Sequence, residues 1–155
     1  GYLWDKGEPK KAFDKAIHCS KKTAMTLSDV FCVERHKTYF LDLVKNSLDI
    51  IFANEQEITS LIDAKSFDEV ISFSKQLEKN IIITRGEKGS ISIFKENLIE
   101  CDAKKNLNIK DLTGAGDLFA AGYLHGLINN LSIKESLIKG TELSSKVIQK
   151  IGARI

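Results

Sequence analysis

The stretch Asp49-Ile50-Ile51-Phe52-Ala53 constrains the fold more than any other, because after its leading acid it is apolar at every position and does not alternate. A strand with one wet face alternates, whereas a continuous apolar run fits a strand covered on both faces, as parallel strands joined by crossover helices are. Ile81-Ile82-Ile83-Thr84 reads as another strand. Around these two, strand and helix patterns take turns. Tyr2-Leu3-Trp4 reads as the end of a buried strand. Pro9 can occupy the first turn of a helix whose apolar positions Ala12, Phe13, Ala16 and Ile17 follow three- and four-residue steps, and which ends near Lys21-Lys22. Ala24 to Leu27 predicts a short strand leaving through Ser28-Asp29, and Val33 to Val44 a helix. Short helices are expected from about Glu55 and from Phe67 to Glu78.

From Ser90 the period changes to two. Ser90-Ile91-Ser92-Ile93-Phe94-Lys95, a turn at Glu96-Asn97 and the extended Leu98 to Cys101 predict an antiparallel hairpin. A polar connection over Lys104 to Lys110 precedes a Gly-rich loop and a helix from about Asp117 to Ile128. After the break Asn129-Asn130 comes a last helix, which Ser132 can cap, running to about Ile151. This order predicts an α/β fold, a three-layer α/β/α domain with a mostly parallel sheet and a late antiparallel hairpin. Ligands of such sheets bind beyond the C-terminal strand ends, where Ser28, Asn54, Arg85 and the 111–117 loop all fall.

With 155 residues, 43% of them hydrophobic, the chain is long enough for one packed core. Its 23 basic and 21 acidic residues are spread without blocks, so nothing points to nucleic acid or an anionic membrane as a partner. Cys19, Cys32 and Cys101 are odd in number and far apart, which argues against a disulfide framework or zinc and suits a reducing cytoplasm. No apolar run is long enough to suggest a membrane span. His18, His36 and His125 show no ligand spacing. Gly122 and Gly126, one turn apart, allow close helix packing.

Chemistry concentrates in Asp111-Leu112-Thr113-Gly114-Ala115-Gly116-Asp117, followed at once by an apolar, helix-forming run. Small residues at a first helical turn let backbone N–H groups converge, and the helix dipole makes that point suit an anion. Asp117 would repel a resting phosphate there. It is better placed to take a proton from an attacking hydroxyl while the N–H groups stabilise the group under attack. The competing reading makes Asp117 a plain N-cap, for which Asp is among the best residues. In Asn54-Glu55-Gln56-Glu57, Asn54 and Glu57 have capping-box spacing. Thr84-Arg85-Gly86-Glu87-Lys88-Gly89 is by itself ordinary turn punctuation.

The 111–117 heptapeptide with its helix resembles the second signature of the ribokinase-like (PfkB) family of carbohydrate and nucleoside kinases, with Leu112 where that family usually has a small or hydroxylated residue. The resemblance implies ATP-dependent transfer of the γ-phosphoryl group to a primary hydroxyl of a sugar or nucleoside. It implies Asp117 as the base and the Gly114, Ala115 and Gly116 N–H groups as the anion hole. Thr84, Arg85, Gly86, Gly89 and Thr113 are then expected on the nucleotide, and Asn54 and Glu57 on water-bound Mg²⁺. A monovalent cation is also allowed. Thr26-Leu27-Ser28-Asp29-Val30-Phe31 is similar to a strand exit of adenosine kinases, which implies Phe31 as a substrate contact and tilts the resemblance to that branch. Residues 1–155 would be the C-terminal, nucleotide-binding part of such a kinase, with the N-terminal half missing and a homodimer allowed in the full-length parent. The alternative is a nucleotide-binding module without catalysis. A Rossmann oxidoreductase is disfavoured because the glycines come late in the chain.

Overall fold

The computed structural model describes Trp4 and residues 7–155. By internal contacts the chain divides into two compact units, Gly1–Ile82 with Ile93–Asn97, and Ile83–Ser92 with Leu98–Ile155. One mixed five-stranded sheet runs through the chain in the order β1 (Ala24–Thr26), β2 (Ile50–Asn54), β3 (Asn80–Thr84), β4 (Ser90–Phe94), β5 (Asn97–Cys101).

In the first unit β1 and β2 pair in parallel, with Ala24 opposite Ile50, Met25 opposite Ile51 and Thr26 opposite Phe52. Ile51, Phe52 and Ala53 are all buried, as a strand without alternation requires. Helix α1 (Pro9–Cys19) carries Pro9 in its first turn, where its missing N–H costs nothing. Helix α2 (Val30–Asn46) starts earlier than the apolar periodicity predicts, because Asp29 is an N-cap that accepts from the Cys32 N–H at 2.8 Å. Helices α3 (Glu55–Ile62) and α4 (Phe67–Gln76) follow, the latter capped by Ser66. The strand expected at Tyr2-Leu3-Trp4 lies largely outside the described residues. Trp4 itself is helical and buried, with its ring centroid 4.5 Å from that of Phe40 and 5.1 Å from that of Phe13.

Only five residues separate β3 from β4 and two separate β4 from β5, too few for a crossover, so the antiparallel part of the sheet begins at β3. Alternating β4 is buried on both faces: Ile91 and Ile93 on one, Ser90 and Ser92 on the other, where Ser92 Oγ lies 3.4 Å from the Tyr123 hydroxyl. The second unit ends with α5 (Ala115–Ile128) and α6 (Ile133–Val147), the latter closed by a capping box between Ser132 and Glu135. These two helices pack through small residues. A Cβ on Gly122 would stand 2.6 Å from the Lys139 carbonyl oxygen, and one on Gly140 would stand 2.8 Å from that of Phe119. Among the described residues no helix is long and apolar enough to cross a membrane.

Candidate functional site

The 111–117 loop is braced before it reaches α5. Asp111 Oδ1 accepts from the Thr113 N–H at 2.9 Å and from the Thr113 hydroxyl at 2.7 Å, while Oδ2 accepts from the Gly152 N–H at 2.8 Å. The Thr113 hydroxyl above all, then the Thr113 and Gly152 N–H groups, hold the Asp111 carboxyl below the usual carboxylate range. The Lys110 and Asp111 N–H groups donate to the Ile148 carbonyl at 2.8 and 3.2 Å, so the segment after α6 clamps the loop. Gly114 then turns the chain at φ 79°, a left-handed conformation, with its Cα so close to Ala153 that a Cβ would lie 2.7 Å from that side chain.

Helix α5 starts one residue later, with Gly114 as N-cap. Asp117 is therefore the third helical residue and not the cap, which removes the N-cap reading. It is exposed, and its side chain makes no capping bond. The Ala115 N–H donates to the Leu112 carbonyl at 3.1 Å. Of the three N–H groups expected to bind an anion, that one is thus already engaged. Among the described residues, the N–H groups of Gly116 and Asp117 have no acceptor, and they stand at the positive end of a 14-residue helix. Gly116 has nothing within 4 Å of where a Cβ would be. A hydrogen-bonding, positive recess with a free carboxylate on its rim is the result.

Within the same unit this recess opens on a cavity of about 360 Å³. Its walls come from the turn after β3 (Thr84, Gly86, Gly89), the start of α5 (Ala115, Gly116, Phe119), the 103–112 connection and one face of α6 (Thr141, Ser144, Ser145). The turn is held by the Arg85 N–H on the Gly89 carbonyl at 2.8 Å and the Gly89 N–H on the Gly86 carbonyl at 3.0 Å. Gly89 is obligatory, since a Cβ would overlap the Cys101 carbonyl oxygen at 2.1 Å. The structure thus brings Thr84, Gly86 and Gly89 together with Ala115 and Gly116. Arg85, Thr113 and Asp117 stand outside the cavity lining, and the Thr113 hydroxyl is turned to Asp111. The α6 face was not anticipated. Its signal is the spacing of Thr141, Ser144, Ser145 and Ile148, which puts small and hydroxylated residues on one helical stripe.

The other expected residues belong to the first unit. Asn54 and Glu57 form a complete capping box: Asn54 Oδ1 accepts from the Glu57 N–H at 2.8 Å, and Glu57 accepts from the Asn54 N–H at 2.9 Å and from its side-chain amide at 2.7 Å. Glu57 is only 6% exposed. Burial first of all pushes its carboxyl up, the Asn54 N–H draws it back, and the charge of Asp29 raises it further. A buried carboxylate repelled by a second one would be relieved by a cation, and each oxygen retains a lone pair after its bond to Asn54. Such hard oxygens fit Mg²⁺ held through its own water, which needs only one or two carboxylates. Among the described residues no cluster of three or more His, Cys, Asp or Glu forms a metal cage. Phe31 lies in the first turn of α2 and is 73% exposed, close in the chain to Ser28, whose φ of 75° is unusual for a residue with a side chain.

Comparison with known proteins follows the same lines. Residues 2–155 match the family described as pfkB family carbohydrate kinase. The ribokinase of Lactococcus lactis subsp. lactis is 35% identical over 107 residues, which cover 69% of this chain and 34% of that protein. The crystal structure of adenosine kinase from Sinorhizobium meliloti superposes with a TM-score of 0.95 at 36% identity, over 99% of this chain and 49% of that one. A probable sugar kinase from Rhizobium etli gives a TM-score of 0.94 at 35% identity, over 99% and 48% of the two chains. The chain thus spans about half the length of these solved kinases and a third of the ribokinase.

Proposed function

Because the chain belongs to the pfkB family of carbohydrate kinases, we propose that it supplies the phosphoryl-donor part of an enzyme that moves the γ-phosphoryl group of ATP to a hydroxyl of a sugar or nucleoside. One observation carries this reading: Asp117, with a free carboxylate, shares the first turn of α5 with the unengaged N–H groups of Gly116 and Asp117, and Gly116 lines a cavity of nucleotide-binding size. Asp117 takes the proton of the acceptor hydroxyl as the oxygen attacks the γ-phosphorus. The bond from that phosphorus to the bridging oxygen breaks, its electron pair leaves with ADP, and the N–H groups stabilise the charge on the transferred group. Thr84, Gly86 and Gly89 place backbone and hydroxyl groups along the phosphates. Asn54 and Glu57 would hold Mg²⁺ through its water, and the ion would supply neutralisation of phosphate charge. Phe31 offers an exposed ring for the acceptor to pack on. The three free cysteines suit a reducing cytoplasm.

The test is ADP formation by the natural protein that carries these residues, with ribose, fructose 1-phosphate and adenosine offered as acceptors, in wild type and Asp117→Asn. Turnover with at least one acceptor is expected. The variant should lose about 10²- to 10⁴-fold in kcat, the usual contribution of a general base, with an almost unchanged melting temperature because the side chain makes no capping bond. Near-wild-type turnover of the variant would remove Asp117 from the mechanism. A second reading, nucleotide binding without turnover, is favoured for the chain by itself, since it spans only 49% of the solved adenosine kinase. Nucleotide binding with no ADP formed would select it.

A further inference from the structure

We propose that Asp111 is a positioning residue for phosphoryl transfer: its carboxylate ties the loop before α5 to the segment after α6 and so fixes the direction in which the Gly116 and Asp117 N–H groups point. This rests on reading the start of α5 as the place where the transferred group is held. The two carboxylate oxygens serve different partners. Oδ1 closes a local turn through the Thr113 N–H and hydroxyl, at 2.9 and 2.7 Å, while Oδ2 reaches the Gly152 N–H at 2.8 Å, 41 positions along the chain. Bonds from the Lys110 and Asp111 N–H groups to the Ile148 carbonyl join the same two segments just before the loop turns away. Beyond Asp111 the loop runs into solvent, with Leu112 66% exposed and Thr113 exposed as well. Gly114, three residues on, is the N-cap of α5, and Ala153 lies against it. Where α5 starts, and how it is turned, thus follows from where Asp111 seats the loop on residues 148–153.

A neutral side chain of the same shape cannot make this link. A carboxylate accepts at both oxygens, whereas asparagine has one acceptor and one donor. With its oxygen toward Thr113, asparagine would set its amide N–H groups against the Gly152 N–H; turned over, it would set them against the Thr113 N–H. Either way two donors meet and one backbone N–H loses its acceptor. The Thr113 hydroxyl, then the Thr113 and Gly152 N–H groups, hold the Asp111 carboxyl below its ordinary value, so both oxygens accept at neutral pH. Gly152 completes the link from the other side. Its φ of 84° is left-handed, and nothing lies within 4 Å of where a Cβ would be, so alanine there would strain the backbone without a clash. Donors stabilise a transferring group through their distance and direction, and a misplacement of about 1 Å can cost about 100-fold in rate.

The experiment measures kcat, the KM for ATP and the Kd of ADP on the natural protein with Mg²⁺, for wild type, Asp111→Asn, Gly152→Ala and the double variant. Each single change is expected to lower kcat about 10- to 100-fold. The ADP Kd and the KM should stay within about threefold, because neither residue lines the cavity and the loss falls on the transition state alone. The double variant should lose no more than the more damaging single change, since both break one link. Should Asp111→Asn fail to fold, Gly152→Ala carries the same comparison. A kcat close to that of wild type in the single variants, losses that add in the double variant, or a loss of ADP affinity in step with kcat would overturn the inference, while turnover by wild type leaves the donor-site reading in place. A wild-type protein that forms no ADP with any acceptor would overturn both.

Discussion

Glu57 has an observed capping role and a proposed metal-holding role, which a single substitution separates. Its side chain completes the capping box of α3 and is buried beside the charge of Asp29. Its carboxyl is raised above the ordinary value of 4.5. Between that value and the folded-state value, the folded protein holds a proton that the unfolded chain has already released. Stability therefore falls as pH rises through this window. Glu57→Gln keeps an acceptor for the Asn54 N–H and cannot ionise. The stability lead of wild type over the variant should accordingly shrink as pH rises from 4.5, which melting curves in a pH series will show. The variant should also need more Mg²⁺ for half-maximal turnover. A stability difference independent of pH would contradict the burial argument, and an unchanged Mg²⁺ requirement would leave Glu57 with its capping role alone. Asp117 was legible from the heptapeptide as a candidate base. Its position in the helix was not, because Gly114 reaches a left-handed φ of 79° and starts α5 earlier than the apolar periodicity suggests.

At the scale of elements, the strands and helices were readable where burial follows the local pattern. Runs such as Ile81-Ile82-Ile83 admit a single environment, and all three residues are buried. The Gly122 and Gly126 spacing pointed to close helix packing, and the structure supplies the partners, Gly140 and Ser136 on α6. A methyl group at Gly122 would meet the Lys139 carbonyl oxygen at 2.6 Å and Gly140 Cα at 2.8 Å. Both are backbone atoms that cannot swing aside, so α5 and α6 would have to separate. Gly122→Ala should then cost about 1–3 kcal/mol through overpacking, only partly offset by the better helix propensity of alanine. Chemical denaturation measures this directly, and an unchanged midpoint would mean that the interface has slack. What no local pattern could disclose is the brace between the 110–114 loop and residues 148–153. It depends on Asp111 meeting the Gly152 N–H from 41 positions away, a tertiary contact without periodicity. The hydroxyl stripe of α6 was hidden for a related reason: Thr and Ser are ordinary on a helix surface until the neighbour that faces them is known.

Over the whole molecule, the α/β order was legible because each crossover leaves its own signature, while the assembly of the site was legible only in part. Thr84, Gly86, Gly89, Ala115 and Gly116 come together within one unit, and Asn54, Glu57 and Phe31 belong to the other. The open space above Gly116 carries a consequence for how such a sequence will drift. Gly114, Gly122 and Gly140 are pinned by their neighbours, since any side chain there collides with Ala153, Lys139 or Phe119. Gly116 is pinned by nothing in the fold: its backbone angle is not left-handed, and no atom lies within 4 Å of the place a methyl group would take. Alanine there should stabilise the chain by about 0.4–1 kcal/mol. A randomised library sorted only for folded, soluble protein should therefore discard glycine at position 116 while keeping it at 114, 122 and 140. The same library sorted for phosphoryl transfer should restore it, and the two lists of survivors would part company at the one glycine of these four that the architecture leaves free to change.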